Sequence, residues 1–256
     1  MSTSPPAARP AATVLLLRDA PGGGPLQVFL QRRVAGMAFA GGMTVFPGGG
    51  VDSGDRPDAD RWQGPGPEWW AERFGFSPDE AAALVTAAVR ETYEECGVLL
   101  ADSAVDSGAR DDLAARRRTL PQVLAEAGLV LRADLLMPWS RWVTPEAEPR
   151  RYDTAFFVAR LPDGQEADAR TTEAVEATWW TPDDALEGGR RGELRLLPPT
   201  QHTLTEIAAF SDVAAVLDAA GSREVRTHRP VLARDGGRVV VTDPDLPDLR
   251  YDLGPA

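Results

Sequence analysis

The sequence contains no lysine: all 27 of its basic residues are arginine. That absence removes several chemistries at once, since there is no lysine for a P-loop, for a pyridoxal Schiff base or to carry biotin or lipoate. One cysteine, Cys96, leaves no intramolecular disulfide and no cysteine-rich zinc site. Only two histidines occur, His202 and His228, and their separation fits no metal-ligand pattern. No G-x-S-x-G elbow is present. The longest apolar runs, such as Ala12–Leu17 with Thr13 inside it, fall far short of the ~18 residues of a membrane helix. Residues 1–11 (MSTSPPAARPA) lack the apolar segment of a signal peptide, so the expectation is a soluble cytoplasmic protein with no membrane partner. Basic charge is itself in deficit. With 39 acidic residues the net charge is −12, which argues against polymeric nucleic acid as a partner.

What is present suffices for a sizeable core: 256 residues, of which 43% are apolar and 26% charged. Short apolar runs predict strands at Thr13–Leu17, Leu26–Arg33 and Thr44–Phe46, with PGGG at 21–24 as a turn. Residues 56–77, rich in Pro, Gly, Asp and Trp and without a clean period, read as an inserted loop. Further strands are expected at Leu135–Thr144, Asp153–Leu161 and Glu176–Trp180, with a turn at Pro162–Gly164. Helices are expected at Asp111–Arg118, Pro121–Ala127, Pro182–Leu186, Pro199–Phe210 and Asp212–Ala219. Val231–Ala233 and Arg238–Val241 flank DGG, a hairpin signal. Strands and helices mix without regular βαβ alternation, which favours an α+β sandwich.

The strongest helix is Pro78–Cys96, with Ser77 and Glu80 set for a capping box and Gly97 at the C-cap. It ends in Arg90-Glu91-Thr92-Tyr93-Glu94-Glu95. Glu91, Glu94 and Glu95 fall on one helical face, with neighbouring Cβ atoms about 5–6 Å apart. Carboxylates that close repel one another unless they splay into water, take up protons or share a cation. They also oppose the helix dipole, at ~0.3–1 kcal/mol each when exposed. A hard divalent cation such as Mg²⁺ removes both conflicts, and Arg90 can hold one carboxylate in place. A solvated acidic face is the plainer reading of the same residues. Upstream, Phe46-Pro47-Gly48-Gly49-Gly50 offers a backbone that phosphate or metal can approach closely, or a plain surface loop.

Together the two segments resemble the Nudix box, G-x5-E-x7-R-E-U-x-E-E-x-G-U with U apolar. Gly49-x5-Asp55 matches the first half, with Asp for Glu, and Arg90–Val98 matches the second, with Thr92 at an apolar position. Residues 56–89 stand between Asp55 and Arg90, where the pattern has seven residues. An interrupted box is similar to the peroxisomal CoA-diphosphatase branch, as are Trp139–Thr144 (WSRWVT) and Arg151–Val158 (RYDTAFFV). The resemblance covers residues 12–210, leaving a flexible terminus at 1–11 and a C-terminal extension at 211–256.

That resemblance implies a Nudix α/β/α sandwich with a mixed central sheet, a long insertion in the box and a C-terminal helical extension. It implies hydrolysis of a nucleoside diphosphate linked to another moiety, with CoA or acyl-CoA suggested by the branch. The downstream motifs of NADH- and ADP-ribose-type members are absent. By position, Glu91, Glu94, Glu95 and the Gly48 carbonyl would ligate Mg²⁺ or Mn²⁺. Glu94, Asp55, Arg90 and Glu173 would serve the chemistry, Asp55 as a water-ordering or supporting group. Glu173 lies where some members place a further carboxylate, although Glu173 or Glu176 could equally be solvated. Arg32 and Arg33 are either phosphate contacts or surface arginines. Cys96 reads as packing. Trp62, Trp69 and Trp70 either anchor the insertion or form a lid. The tail after Gly221 wraps the core or joins a homodimer interface. A Nudix-fold nucleotide sensor without turnover is the alternative function, motivated by Asp55, the insertion and the tail.

Overall fold

Residues 9–19 alternate in what they bury. Ala12, Val14 and Leu16 belong to one apolar cluster and Leu15 and Leu17 to another. A strand presents successive side chains to opposite faces, so this pattern places it at the centre of a sheet covered on both sides. Residues 152–160 repeat it, with Ala155, Phe157 and Ala159 on the first face and Phe156 and Val158 on the second.

A computed structural model of the chain describes residues 5–37, 40–103, 105, 108–171 and 174–255. In chain order the elements are β1 (Arg9–Asp19), β2 (Leu26–Arg33), β3 (Thr44–Val45), β4 (Gly48–Gly50), β5 (Trp62–Gln63), α1 (Pro67–Phe74), α2 (Pro78–Cys96), α3 (Gly108–Ala114), α4 (Leu120–Ala127), β6 (Leu131–Arg132), β7 (Leu136–Val143), β8 (Tyr152–Arg160), β9 (Ala174–Trp180), α5 (Pro182–Arg190), α6 (Pro198–Ile207), α7 (Val213–Ser222), β10 (Arg226–His228), β11 (Val231–Asp235), β12 (Arg238–Asp243) and β13 (Leu246–Pro255).

The main sheet runs β10-β7-β8-β1-β2-β3, with β4 pairing β1 and β9 pairing β2. It is mixed: β1 is parallel to β8 along its length but antiparallel to β2 and β4. Helices α1 and α2 cover one face and α5, α6 and α7 the other, giving the expected three-layer sandwich. Strand β1 changes partner on one edge. Residues 17–19 pair with β2, whereas residues 11–13 pair with the glycines of β4. That divergence brings the glycine-rich segment beneath the end of α2.

Three expectations change. Residues 56–77 are not wholly loop, because they contain α1, with Pro67 in its first turn and Gly75 closing it in the left-handed conformation. Its apolar residues, Trp70, Ala71 and Phe74, are buried, which a Pro/Gly/Trp composition conceals. Helix α3 spans Gly108–Ala114, not Asp111–Arg118, because Arg116 takes a positive φ of 55°. The C-terminal extension opens with a helix but continues as β-structure: β10 joins the main sheet and β11-β12-β13 form a second one. Val241 and Leu249 carry the second sheet onto the core.

Trp70 is fully buried, with its ring 5.5 Å from Phe157, and its indole N–H and that of Trp62 both donate to the Pro65 carbonyl. None of Trp62, Trp69 and Trp70 lines the large cleft, so these side chains anchor the insertion. Trp70→Ala is expected to lower stability by about 3–5 kcal/mol in denaturant unfolding while KM stays unchanged. A raised KM at unaltered stability would instead make the residue a lid.

Candidate active site and metal centre

Helix α2 is set from both ends. Ser77 Oγ accepts from the Glu80 amide at 3.3 Å, and Glu80 Oε2 accepts from the Ser77 amide at 2.9 Å. Pro78 occupies the first turn, and Gly97 closes the helix with φ 74°, its N–H on the Tyr93 carbonyl at 2.9 Å. Between the caps the helix is buried along most of its length. Its last turns emerge beside β4, at a cleft of about 1520 Å³ lined by Gly48–Asp55, Arg90, Glu91 and Glu94.

Arg90 organises that end. Its Nε and Nη2 donate to the two oxygens of Asp55 at 2.8 and 2.9 Å, and Nη2 also reaches the Gly50 carbonyl at 2.9 Å. Its Nη1 lies 2.8 Å from Glu91 Oε1 and 3.4 Å from Glu94 Oε1. Burial alone would make this guanidinium less basic. The hydrogen bonds to Asp55 and the charges of Glu91, Asp55 and Glu94 outweigh burial and raise it, so Arg90 is a fixed cation. Asp55 is buried and turned wholly onto Arg90 and the Asp52 amide (2.8 Å).

Glu95 is buried on the other side. It accepts from the Gly48 amide at 2.7 Å and from Gln31 Nε2, with Arg33 Nη1 3.8 Å away. Burial, reinforced by the charge of Glu91, pushes Glu95 up to about 8 despite those donors. Burial also pushes Glu91 up to about 7, against the pull of Arg90 and with the push of Glu94. Glu94 is raised by burial too, with Arg90 opposing. Glycine is needed here on steric grounds. A Cβ on Gly49 would lie 2.6 Å from Glu91 Cδ, and one on Gly48 2.7 Å from Thr13 Cα.

Among the described residues, no three His, Cys, Asp or Glu side chains already surround a single point as a metal cage. The donor set nevertheless fits a hard cation. Buried Glu95 and half-buried Glu91 have raised proton affinity, and Gln31 Oε1 beside them is buried with no donor among the described residues. A cation there competes with Arg90 for Glu91 and with the Gly48 amide for Glu95.

The structure thus brings together Asp55, Arg90, Glu91, Glu94, Glu95 and Gly48, and it separates the two arginines of β2. Arg33 shares the Phe29–Gln31 side of the strand and lines the cleft, whereas Arg32 pairs with Glu176 at 3.1 Å on an exposed surface. Glu173 lies outside the described residues. Cys96 is buried, its thiol donating to the Thr92 carbonyl at 2.9 Å, and burial pushes it up, away from thiolate chemistry. His202 and His228, far apart in sequence, meet with ring centroids 5.3 Å apart, His228 stacked on Trp142. Sequence reasoning missed Gln31. A polar residue on the same face of β2 as buried Phe29 was the available signal.

A family model described as the NUDT19 Nudix domain matches residues 71–207, more than half of the chain. The chain belongs to that family. Its relatives include the acyl-coenzyme A diphosphatase NUDT19 of Xenopus laevis, 25% identical over 232 residues, with 73% of this chain and 61% of the relative covered. The Gallus gallus protein of the same name is 29% identical, with 80% and 69% covered. The chain thus spans about three-fifths of the Xenopus relative's length. Among solved structures, a NUDIX hydrolase from Alicyclobacillus acidocaldarius is 28% identical with a TM-score of 0.71, covering 86% of this chain and 98% of that one. The chain therefore carries a Nudix domain in which the Arg90–Asp55 pair joins the two separated halves of the box.

In the folded Nudix domain Glu91 and Glu95 keep protons up to about 7 and 8, whereas unfolded glutamates release them near 4.5. The folded state therefore binds more protons across that window, and metal-free stability falls as pH rises through it. His228 acts the other way. Burial and His202 lower it to about 4 from 6.5, so its contribution is lost as pH falls below that upper value. From about pH 6.5 to 8 the carboxylates set the sign: the metal-free melting temperature should fall, and its rise on adding a divalent cation should grow. Thermal unfolding across that range checks both trends, and Glu91→Gln should flatten them.

Proposed function

We propose that this chain hydrolyses a diphosphate bond in a nucleoside diphosphate linked to another moiety, with CoA or an acyl-CoA as substrate and Mg²⁺ or Mn²⁺ as cofactor. The observation that carries the reading is the Glu91, Glu94 and Glu95 cluster beside Gly48–Gly50, with Glu95 buried and Glu91 and Glu94 half-buried on the wall of a cleft large enough for a nucleotide conjugate. The names of the NUDT19 relatives support the CoA assignment.

In this reading Glu91, Glu94, Glu95 and the Gly48 carbonyl hold the cation. When bound, it neutralises phosphate charge and lowers the pKa of a coordinated water. Arg90 and Asp55 act through position, because their bidentate pair fixes the two halves of the box. Glu94, the least buried of the three by its environment, receives the water's proton, with Glu173 as a second candidate base. Arg33 reaches the phosphates from the cleft wall. Arg9, Arg116 and Arg150 also line the cleft and soften the negative field that a diphosphate meets on approaching a chain of net charge −12. The sensor alternative drew on Asp55 standing where the pattern has Glu. The shorter side chain still makes both hydrogen bonds to Arg90, so the substitution leaves the two halves of the box joined.

Phosphate release after phosphatase coupling tests the proposal on CoA, acyl-CoA, NADH, ADP-ribose and dinucleoside polyphosphates, each with Mg²⁺, Mn²⁺ or EDTA. Metal-dependent turnover favouring CoA esters is expected, and silence from folded protein across the panel would overturn it. Glu94→Gln should reduce kcat by at least about a hundredfold with the melting temperature little changed. Activity like that of the wild type would remove Glu94 from the site.

A further inference from the structure

Helix α2 carries its three glutamates at the end where its own dipole is negative, and its last turn contains no basic residue. The compensating cation comes from elsewhere in the chain. Arg110, on α3, is buried and donates from Nε to the Glu94 backbone carbonyl at 2.9 Å. Its Nη1 is held by Asp168 Oδ1 at 2.7 Å. The Asp168 amide in turn donates to the Cys96 carbonyl at 3.0 Å. Two carbonyls left open by the helix end are thus closed by one Arg–Asp pair drawn from two distant segments.

The fit is close. A Cβ on Gly97 would stand 2.9 Å from Arg110 Nη1, so the helix-closing glycine also makes room for the guanidinium. Arg110 Nη2 is buried and meets no acceptor among the described residues. Burying an unsatisfied donor is unfavourable, and a simple filler of this space would avoid it. A guanidinium fixed against the Glu94 carbonyl, itself held by Asp168, fixes the direction in which that turn presents Glu94 and Glu95.

We propose that Arg110, tethered by Asp168, is a positioning residue that sets the affinity of the Glu91–Glu94–Glu95 cluster for its divalent cation. This rests on the metal-dependent reading of the cluster given above. Arg110 touches neither substrate nor cation, and it acts through the backbone of Glu94.

The test is Mg²⁺ binding by calorimetry, alongside the Mg²⁺-induced rise in melting temperature and the Mg²⁺ concentration for half-maximal activity. Arg110→Gln is expected to weaken Mg²⁺ binding about tenfold or more, as supporting groups around metal ligands typically do. Its kcat at saturating Mg²⁺ should stay close to that of the wild type. Asp168→Asn, which keeps the backbone donor to Cys96, should shift binding in the same direction by less, and Arg110→Lys should restore part of the loss. A folded Arg110→Gln protein with lower metal-free stability but wild-type Mg²⁺ affinity would overturn the proposal, reducing Arg110 to a structural prop. Should Arg110→Gln fail to fold, unchanged Mg²⁺ affinity in Asp168→Asn overturns it instead. Wild-type protein that binds no Mg²⁺ defeats the metal reading itself, whereas wild-type binding with unaltered variants defeats this proposal alone.

Discussion

The buried pair between Arg90 and Asp55 is the contact on which the site depends. It joins two parts of a box that residues 56–89 force apart in sequence, and it does so with both guanidinium edges occupied. Once those ends are clamped, the inserted chain can be long without disturbing the site, since closure entropy rises only slowly with loop length. The insertion also brings its own anchor, because α1 places Trp70 and Phe74 against Phe157 on the sheet. An isolated buried ion pair is rarely a net source of stability. Its contribution here is geometric: Arg90 links Asp55, Gly50, Glu91 and Glu94 in a single network.

Around that network the chain concentrates charge where folding would ordinarily disperse it. Glu95 sits in the protein interior and Glu91 half-buried at the cleft wall, near each other and at the unfavourable end of a helix dipole. Each neighbour partly relieves this: the Gly48 amide, Gln31 and Arg33 for Glu95, and Arg90 for Glu91. None relieves it fully, and the carboxylates remain more basic than ordinary glutamates. The glycines of β4 belong to the same arrangement, since any side chain on Gly49 would occupy the place of the Glu91 carboxylate.

Local signals were legible and distant ones were not. The ends of α2 could be read to the residue because caps are chemical events confined to a few positions, Ser77 with Glu80 at one end and Gly97 at the other. Strand β2 was equally plain from its run of apolar residues. The six box residues could be grouped because helical spacing and a known pattern both place them. Helix α1 was hidden by composition, since Pro67 and Gly75 look like loop residues until they are seen as its two ends. β10 and β13 carry too many polar residues and prolines to announce themselves, and they become strands by pairing with neighbours already in place. Gln31 and Arg110 escaped notice for a related reason: their roles exist only across the fold, against Glu95 and the Glu94 carbonyl.

The parallel pairing of β1 with β8 bears on how the chain must be made. Ribosomal synthesis delivers β1 first and its long neighbour only after Tyr152 has appeared, by which point both halves of the box have been made. A nascent chain extended as far as Val143 therefore owns every carboxylate of the cluster and the glycines beneath it, while one edge of β1 has no mate. Pairings between segments so distant in sequence form slowly, and an open apolar strand is prone to aggregation until they do. The carboxylate cluster is written early in translation, but its sheet closes late, and a truncated product ending before β8 would carry the complete motif without the fold that gives it shape.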